Sequence, residues 1–580
     1  MIKSQVRRML CAQALSAMTV SLCLVIDNIM VGRFLGVSAL AASSLATPIL
    51  LLLNAVSFLM SAGVQVVCGR SLGKGSQEEV NEAYSTALSA SAVFSLTFLA
   101  LVCSLSRPLA SLMGADAALA KETAAYMTGF AIGAPATMTA LILIPFLQIA
   151  GQSSLLILSV LCMTVTDITF DLLNVYVFHG GMFGMGLASS LSYYVAVAFC
   201  SRYFLSKKCT FRFSRKRVSL RKLKEILLGG GPSVIDQAAS LAFVFAMNRI
   251  LLGAGGDMMV AAYSVISTIC NVSNCVSTGA AGVTLSLSGI FYNEEDKTSL
   301  RVMLRSVART AAVMSAGVTA ALLLFAPFIV RVFIPDAGEA QQSLVIAGLR
   351  LVSLGLIPCC LNNALKNSYQ GTGRVRTMEA ISLTENFALP AAAALALRFA
   401  VGAKGIWCYF FVAEALALVG ILARAWVKRR AVTLRTEDIL LLPDDFGVPP
   451  EDLLEMDIHS MEDVMDASRK AEAFCLSHGG DRRHSAHMAL CVEEMGANIV
   501  THGFTPGGKS RLSILLQYRD RRWMLRFRDN CEAFDPVSHI SEENISDGIG
   551  IRLAMRMADE AHYTYLMSIN NLLLTLRAES

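Results

Sequence analysis

The stretch VIDNIMVGRFLGVSALAASSLATPI, Val25 to Ile49, sets one carboxylate, Asp27, deep in an otherwise apolar helix and follows it with a glycine-punctuated turn. A variant returns as RILLGAGGDMMVAAYSVI from Arg249, in a register that places Asn28 opposite Asn248 and Ala41-Ala42 opposite Ala261-Ala262, an offset of 220 residues. The same register puts Asp27 opposite Met247. An ionisable group at membrane depth is costly, so a duplicated apolar unit that keeps its charge in one copy marks a place for a cation.

The repeat extends along the chain. Gln148 and Gly151 match Gln370 and Gly373 at an offset of 222, and Gly186 matches Gly405 at 219. The chain is 54% hydrophobic and 16% charged, with mean hydropathy +0.56, where a soluble chain carries about a quarter charged residues. Hydropathy predicts twelve spans, near 11–34, 45–69, 84–106, 124–149, 154–178 and 184–206, then 227–252, 259–291, 306–333, 343–365, 378–399 and 404–427. The expected fold is therefore an all-α polytopic membrane domain of two six-helix lobes, followed by a soluble α/β sandwich. Its divisions are an N-lobe (1–206), a C-lobe with a preceding basic loop (207–430), a linker (431–455) and the soluble domain (456–580). MIKSQVRRML could open a signal peptide, but Asp27 and the continuing apolar run mark a retained first helix. The fifteen cysteines show no metal spacing and read as small hydrophobes.

Basic residues cluster at Lys3, Arg7 and Arg8, at Lys207 to Lys224 in the central connection, and at Arg424 to Arg430. With an even number of spans all three fall on one side, so both termini are expected in the cytoplasm of a multi-pass cell-membrane protein. A basic run lying between two spans speaks against nucleic acid as a partner; the expected surroundings are the lipid bilayer and a small-molecule substrate. Paired repeats of this kind enclose a central cavity between lobes, and Pro135, Pro145, Pro232, Pro358 and Pro390 permit kinks for rocking.

Asp27 lies about 16 residues into the first span and Asp171 about 17 into the fifth, so at about 1.5 Å per residue both reach similar depth in the outer half. Asp167, Asp171 and Asn174 follow i, i+4, i+7 spacing on one helix face. Two carboxylates on one pocket can share a proton or, with an Asn oxygen, ligate Na⁺. Asp236, one turn past Pro232, and Glu385 and Glu414 are weaker candidates for the cavity, while Gln65, Asn248, Asn271 and Asn274 read as interhelical hydrogen-bonding groups.

These stretches, with GVQVVCGRSLGKG (Gly63 to Gly75), LMGAD at Leu112, DLLNVYVFHGGMFGMGLASS from Asp171 and GGPSVIDQAASLAF from Gly229, make residues 1–430 resemble the multidrug and toxic compound extrusion (MATE) transporters. The resemblance implies twelve helices in two lobes and export driven by H⁺ or Na⁺. It places Asp27 and Asp171 where the DinF-like branch has N-lobe carboxylates tied to coupling. Opposite them stand Met247 and roughly Ala391, which leaves Asp236 as the similar candidate in the second half.

In the tail, two helices, MEDVMDASRKAEAFCLSHGG and HSAHMALCVEEMGANIVTHGF, precede the strands LSILLQYRD and WMLRFRD, a helix from Gly550 and a final strand NNLLLTLRA. Glu494, Asn498 and His502 are spaced four apart on one helical face, Asp529 leaves a strand in RDNCEAFDP, and Gly548 and Gly550 precede a helix in DGIGIRLAMRMADE. An Asn oxygen can hold Mg²⁺, a Glu one turn earlier can orient water or take a hydroxyl proton, and glycines at a helix start allow close approach of phosphate. Together these resemble the Bergerat-fold ATP-binding domain of histidine kinases, most closely the anti-sigma-factor serine kinases. By that likeness Glu494 is the base, Asn498 the Mg²⁺ ligand, Asp529 the adenine reader, and Gly548 and Gly550 the phosphate loop. Cys531 and Ala533 stand where glycines are usual, which points to reduced nucleotide affinity, and no phospho-acceptor helix precedes the domain. The expected function is a cation-coupled antiporter exporting small organic or xenobiotic molecules, with a cytosolic ATP-binding regulatory or kinase domain and a cytosolic protein partner. The alternative is a membrane sensor that controls a serine kinase acting on an anti-sigma-antagonist-like protein. The absence of a Walker P-loop makes transport secondary.

Overall fold

Long apolar runs, interrupted mainly by glycine and proline, fold as helices because in lipid every backbone amide must be satisfied within its own segment. The computed structural model describes residues 2–116, 119–206, 209–335, 338–429, 435–505, 510–539 and 549–577. In the first half the helices are α1 (Ile2–Met30), α2 (Val37–Gly73), α3 (Gln77–Leu112), α4 (Leu119–Ala131), α5 (Ala134–Ile149), α6 (Ser153–Leu173) and α7 (Gly181–Phe204). The second half has α8 (Leu220–Gly255), α9 (Asp257–Ser273), α10 (Cys275–Asn293), α11 (Lys297–Phe333), α12 (Glu339–Ser353), α13 (Leu356–Gly371), α14 (Val375–Leu383), α15 (Leu389–Ala400) and α16 (Tyr409–Arg429). Among the described residues ten helices are long and apolar enough to cross a membrane, and the count reaches twelve when α4–α5 and α12–α13 each serve as one bent span. The bends, 45° and 43°, fall at matching places in the two halves. Each follows a glycine, Gly133 or Gly355, and Pro135 and Pro358 then sit in the first turn of the next helix, where a missing N–H is tolerated.

The halves meet along α1, α2, α8 and α10. Glycine lets these backbones touch: a Cβ on Gly63 would fall 2.0 Å from the Ile226 carbonyl, and one on Gly230 would fall 1.9 Å from that of Leu59. Gly69 and Gly289 also face one another, and the Ser286 hydroxyl donates to Gln65 Oε1 across the seam at 2.9 Å. All of these lie in the half of the bundle nearer the soluble domain.

The connection to that domain is held by the C-lobe. A short helix α17 (Thr436–Ile439) pairs Glu437 with Arg301, and the Tyr369 hydroxyl donates to the Ile439 carbonyl. Leu440, Leu441, Leu442 and Phe446 pack into the membrane unit's core, with Phe446 stacked on Tyr292 at 5.2 Å. The domain itself runs β1 (Leu453–Ile458), α18 (Met461–Ser477), α19 (Arg482–Asn498), β2 (Leu512–Arg519), β3 (Arg522–Asp529), α20 (Pro536–His539), α21 (Ile549–Met557), β4 (Glu560–Leu566) and β5 (Ile569–Arg577). The sheet order is β1-β2-β3-β5-β4, antiparallel throughout. Two strands go beyond the sequence reading. β1 begins at Leu453, inside the expected linker, and β4 precedes the one expected final strand. LLEMDI and EAHYTYL do alternate, with acids or His on one side, but the first lies at the end of a Pro- and acid-rich linker and the second directly abuts the final strand through a two-residue turn.

That alternation divides the sheet into two working faces. Leu512, Ile514, Leu516, Trp523, Leu525, Phe527, Leu572, Leu574 and Leu576 form the core under α18, α19 and α21. Residues of opposite parity, including Arg519, Arg526, Arg528 and Asn571, point to the membrane unit and reach Glu294, Glu295 and Asp296 in the turn between α10 and α11.

Candidate functional site

The N-lobe site grows from α1 and α6. The i, i+4 pair Asp167 and Asp171 turns one face of α6 toward α1, where Cys23 and Asp27 are also four apart. The Cys23 thiol donates to Asp167 Oδ2 at 2.8 Å, and ligand atoms of Cys23, Asp27 and Asp167 lie within 4.8 Å of one another. Asp171 is fully buried, within hydrogen-bonding reach of Asp27 once one of the two holds a proton. Both oxygens of Asp171, and Oδ1 of Asp27 and of Asp167, are buried with no donor among the described residues. Acceptors without donors in a low dielectric call for a proton or a cation. Cys23 was not singled out from sequence; its signal was its position one turn before Asp27.

Asn174 departs from the expected placement. Its amide donates to the Gly181 carbonyl at 3.0 Å and accepts from the Gly180 amide at 3.0 Å. Gly184 makes room for it, since a Cβ there would lie 1.8 Å from Asn174 Oδ1. The residue opens a π turn, Asn174–Phe178, that ends the α6 register and carries its side chain to the start of α7 rather than to the carboxylates.

The C-lobe is richer in charge than the repeat predicts. Met247, opposite Asp27, is fully buried in an apolar cluster. Elsewhere in the lobe, Lys366 Nζ lies 2.9 Å from Asp236 Oδ1 and 3.2 Å from Glu385 Oε2. Asn386 donates to Asp236 at 2.7 Å, and Asn362 donates to Glu414 Oε2 at 2.8 Å. Asp236 and the two other acidic candidates, Glu385 and Glu414, are thus gathered around Lys366. Lys366 was missed because the predicted span stopped at 365, whereas α13 continues to Gly371.

In the soluble domain, Glu494 and Asn498 share a face of α19, but a π turn, Ile499–Gly503, follows at once and leaves His502 exposed on it. Asp529, at the end of β3, is 4% exposed and accepts from the Cys531 amide at 2.9 Å and from Asn570 Nδ2 at 2.7 Å. Burial pushes its carboxyl above the usual carboxylate range. Asn570 also donates to the Glu532 carbonyl and accepts from the Tyr563 hydroxyl at 2.6 Å, so it fixes the turn that carries Cys531. A Cβ on Gly550 would fall 1.9 Å from Glu494 Oε2, so glycine is what lets the start of α21 sit against that carboxylate. Gly548 lies outside the described residues. Three further π turns lie beside candidate site residues: Val31–Leu35 after Asp27, Asn174–Phe178 after Asp171 and Thr384–Ala388 around Glu385. Such turns are frequent at functional sites.

Comparison with known proteins follows the same division. The MatE family model matches residues 13–173 and 232–390, and the histidine kinase-like ATPase domain model matches 459–576. The multidrug export protein MepA of Staphylococcus saprophyticus is 21% identical over 417 residues, 71% of this chain and 91% of that protein. The serine/threonine-protein kinase BtrW of Bordetella bronchiseptica is 32% identical over 95 residues, 15% of this chain and 67% of that one. Among solved structures, an outward-facing MATE family transporter of the MOP superfamily superposes with TM-score 0.68 at 20% identity, covering 74% of this chain and 97% of that one. A MOP superfamily transporter from Pyrococcus furiosus gives 0.66 at 21% identity, covering 74% and 96%.

Proposed function

The chain belongs to the MatE family, and from that premise we propose that its membrane unit is a cation-coupled antiporter exporting small organic molecules. The observation that carries this reading is the set of donor-less buried oxygens on Asp27, Asp167 and Asp171. A proton or Na⁺ bound there offsets part of the cluster's negative charge in one lobe orientation and leaves it in the other. Asp236 with Lys366, Glu385 and Glu414 supplies charged groups to the C-lobe side. The basic segments share the soluble domain's end of the bundle, and by the positive-inside rule that end is cytoplasmic. Asp27→Asn and Asp171→Asn are expected to abolish gradient-driven efflux from vesicles while the protein still inserts and folds. Wild-type efflux in both variants refutes the coupling role.

The soluble domain fits ATP with Mg²⁺. Asp529 is a buried acceptor at a strand end, suited to an adenine amino group. Asn498, one turn past Glu494, would hold the metal, and Gly550 lets the helix start approach the Glu494 carboxylate closely, with Gly548 expected in the phosphate loop. Bound ATP would supply a transferable phosphoryl group; Glu494 would orient water or take a hydroxyl proton. The likeness to BtrW over the same domain supports a second reading, in which the domain phosphorylates a cytosolic protein of the anti-sigma-antagonist kind. Phosphate transfer to such a protein, lost in Glu494→Ala, is its test.

A further inference from the structure

We propose that the soluble domain is a lock on lobe movement, released when nucleotide engages Asp529. The inference rests on the export reading for what the lock controls, and on the geometry for how it acts.

The domain grips both lobes. On the C-lobe side Arg528 places Nη2 2.6 Å from Glu294 and Nη1 2.6 Å from Asp296, and Arg526 also pairs with Glu294. Asn571 donates to Glu294 at 3.1 Å and Arg519 pairs with Glu295. Glu294 and Asp296 are 8% and 6% exposed, so these are desolvated ion pairs. Burial works against Asp296 ionising, but the Arg528 charge and the Ser299 hydrogen bonds outweigh it and hold the carboxyl below its usual range. On the N-lobe side the tip of the β4–β5 hairpin seats on the turn between α5 and α6. The Met567 amide donates to the Ile149 carbonyl at 2.7 Å, and the Ser568 hydroxyl reaches the Gly151 carbonyl at 3.5 Å. Leu566, Met567 and Ile569 join the apolar core of the membrane unit, and His562 lies against Gly75 at the end of α2.

These anchors straddle the glycine seam at the end where the lobes are in contact. Alternating access requires that end to part, and it cannot part while one rigid sheet holds Glu294–Asp296 and Ile149–Gly151 together. The two grips are unequal. The C-lobe grip has several buried ion pairs and the α17 linker, while the N-lobe grip has a hairpin tip with one short backbone bond. The tip is the part that lets go.

Nucleotide reaches the tip through adjacent residues. In the β3–β5 register Asp529 faces Asn570, and Arg528 faces Asn571. Side chains alternate between faces, so Asp529 and Asn570 belong to the nucleotide side while Arg528 and Asn571 hold Glu294. Asn570 stands only two residues beyond Ser568. Asn570 and the Cys531 amide both bond Oδ1 of Asp529. An adenine amino group taken at Oδ2 therefore turns the carboxylate and strains the Asn570 bond, loosening the strand start that carries the seated tip.

The test uses the full chain in liposomes and nanodiscs, with ethidium as the transported probe. Efflux under H⁺ or Na⁺ gradients is measured alongside hydrogen exchange at residues 566–570 and at the seam, residues 59–73 and 226–233. ATP with Mg²⁺ is expected to raise exchange at 566–570 and to speed efflux roughly tenfold, within the usual range of coupling between sites. Arg526→Glu with Arg528→Glu is expected to give the fast, ATP-independent behaviour. Adding Glu294→Arg and Asp296→Lys is expected to restore the lock. Should the reversal fail to fold, Asn571→Leu removes an uncharged part of the grip and is expected to show a smaller effect of the same sign. Unchanged exchange at 566–570 on adding ATP, or a charge reversal indistinguishable from wild type, overturns the lock. Absence of efflux in every variant refutes the export reading instead, and the exchange data still decide the lock.

Discussion

Replacing Gly230 by Ala tests whether the glycine seam is what lets the lobes close at the domain end. The added Cβ would stand 1.9 Å from the Leu59 carbonyl, about 1.5 Å short of the 3.4 Å where ordinary contact begins. The obstacle is backbone on both sides, so no side chain can swing away, and α2 and α8 must separate. Overpacking of this kind costs about 1–3 kcal/mol, equivalent to a shift of about 5- to 150-fold toward the state in which the domain end is open. Gly231→Ala is an internal control, because its Cβ would meet nothing within 4 Å; there Ala should stabilise the helix by up to about 1 kcal/mol. Hydrogen exchange over residues 59–66 and 226–233 in nanodiscs reads the difference. Faster seam exchange in Gly230→Ala and wild-type or slower exchange in Gly231→Ala are expected. Equal exchange in the two variants would show that the seam does not set the conformational balance.

Lys366→Met removes the cation between Asp236 and Glu385 and is expected to lower stability by about 3–5 kcal/mol, the usual cost of breaking a buried pair from one side; thermal unfolding should show much of this loss recovered by adding Glu385→Gln, which removes the charge left buried. Asp529→Asn is expected to abolish binding of a fluorescent ATP analogue, read by anisotropy, while the domain still unfolds cooperatively. Acid should act on the docked domain in a defined window. The lowered Asp296 carboxyl stabilises docking fully above its unfolded value, about 3.9, and this contribution is lost as pH falls through the lower folded value. Exchange at 566–570 is therefore expected to show no Asp296 contribution to pH dependence between about pH 5 and 8, and to rise below about 4.

The membrane fold was legible because duplication and hydropathy act over tens of residues. Asp27 and Asp171 announced their depth by being charged inside apolar runs. Cys23 gave no such signal, since a thiol among fifteen cysteines looks like any small hydrophobe. Lys366 was lost to a boundary: its polar surroundings, NNALKNSYQGTG, end a hydropathy window before they end the helix. Asn174 was placed by ideal helical spacing, which the π turn beginning at that residue sets aside. In the tail, the three motifs located Glu494, Asn498 and Asp529, but nothing in WMLRFRD assigns a partner to Arg526 and Arg528. Only the tertiary fold shows that Glu294 and Asp296, more than 200 residues earlier, are their partners.

The β4–β5 hairpin turns on Met567 and Ser568, both with positive φ, 55° and 58°. Two-residue turns of this hand favour Asn-Gly, which adopts such angles at little strain. An Asn-Gly replacement should therefore make the hairpin fold more readily on its own, yet it removes the methionine buried in the membrane unit. Local folding and attachment pull this dipeptide in opposite directions, and selecting the tail for stability in isolation would select a tail whose hairpin no longer seats on the first half of the transporter.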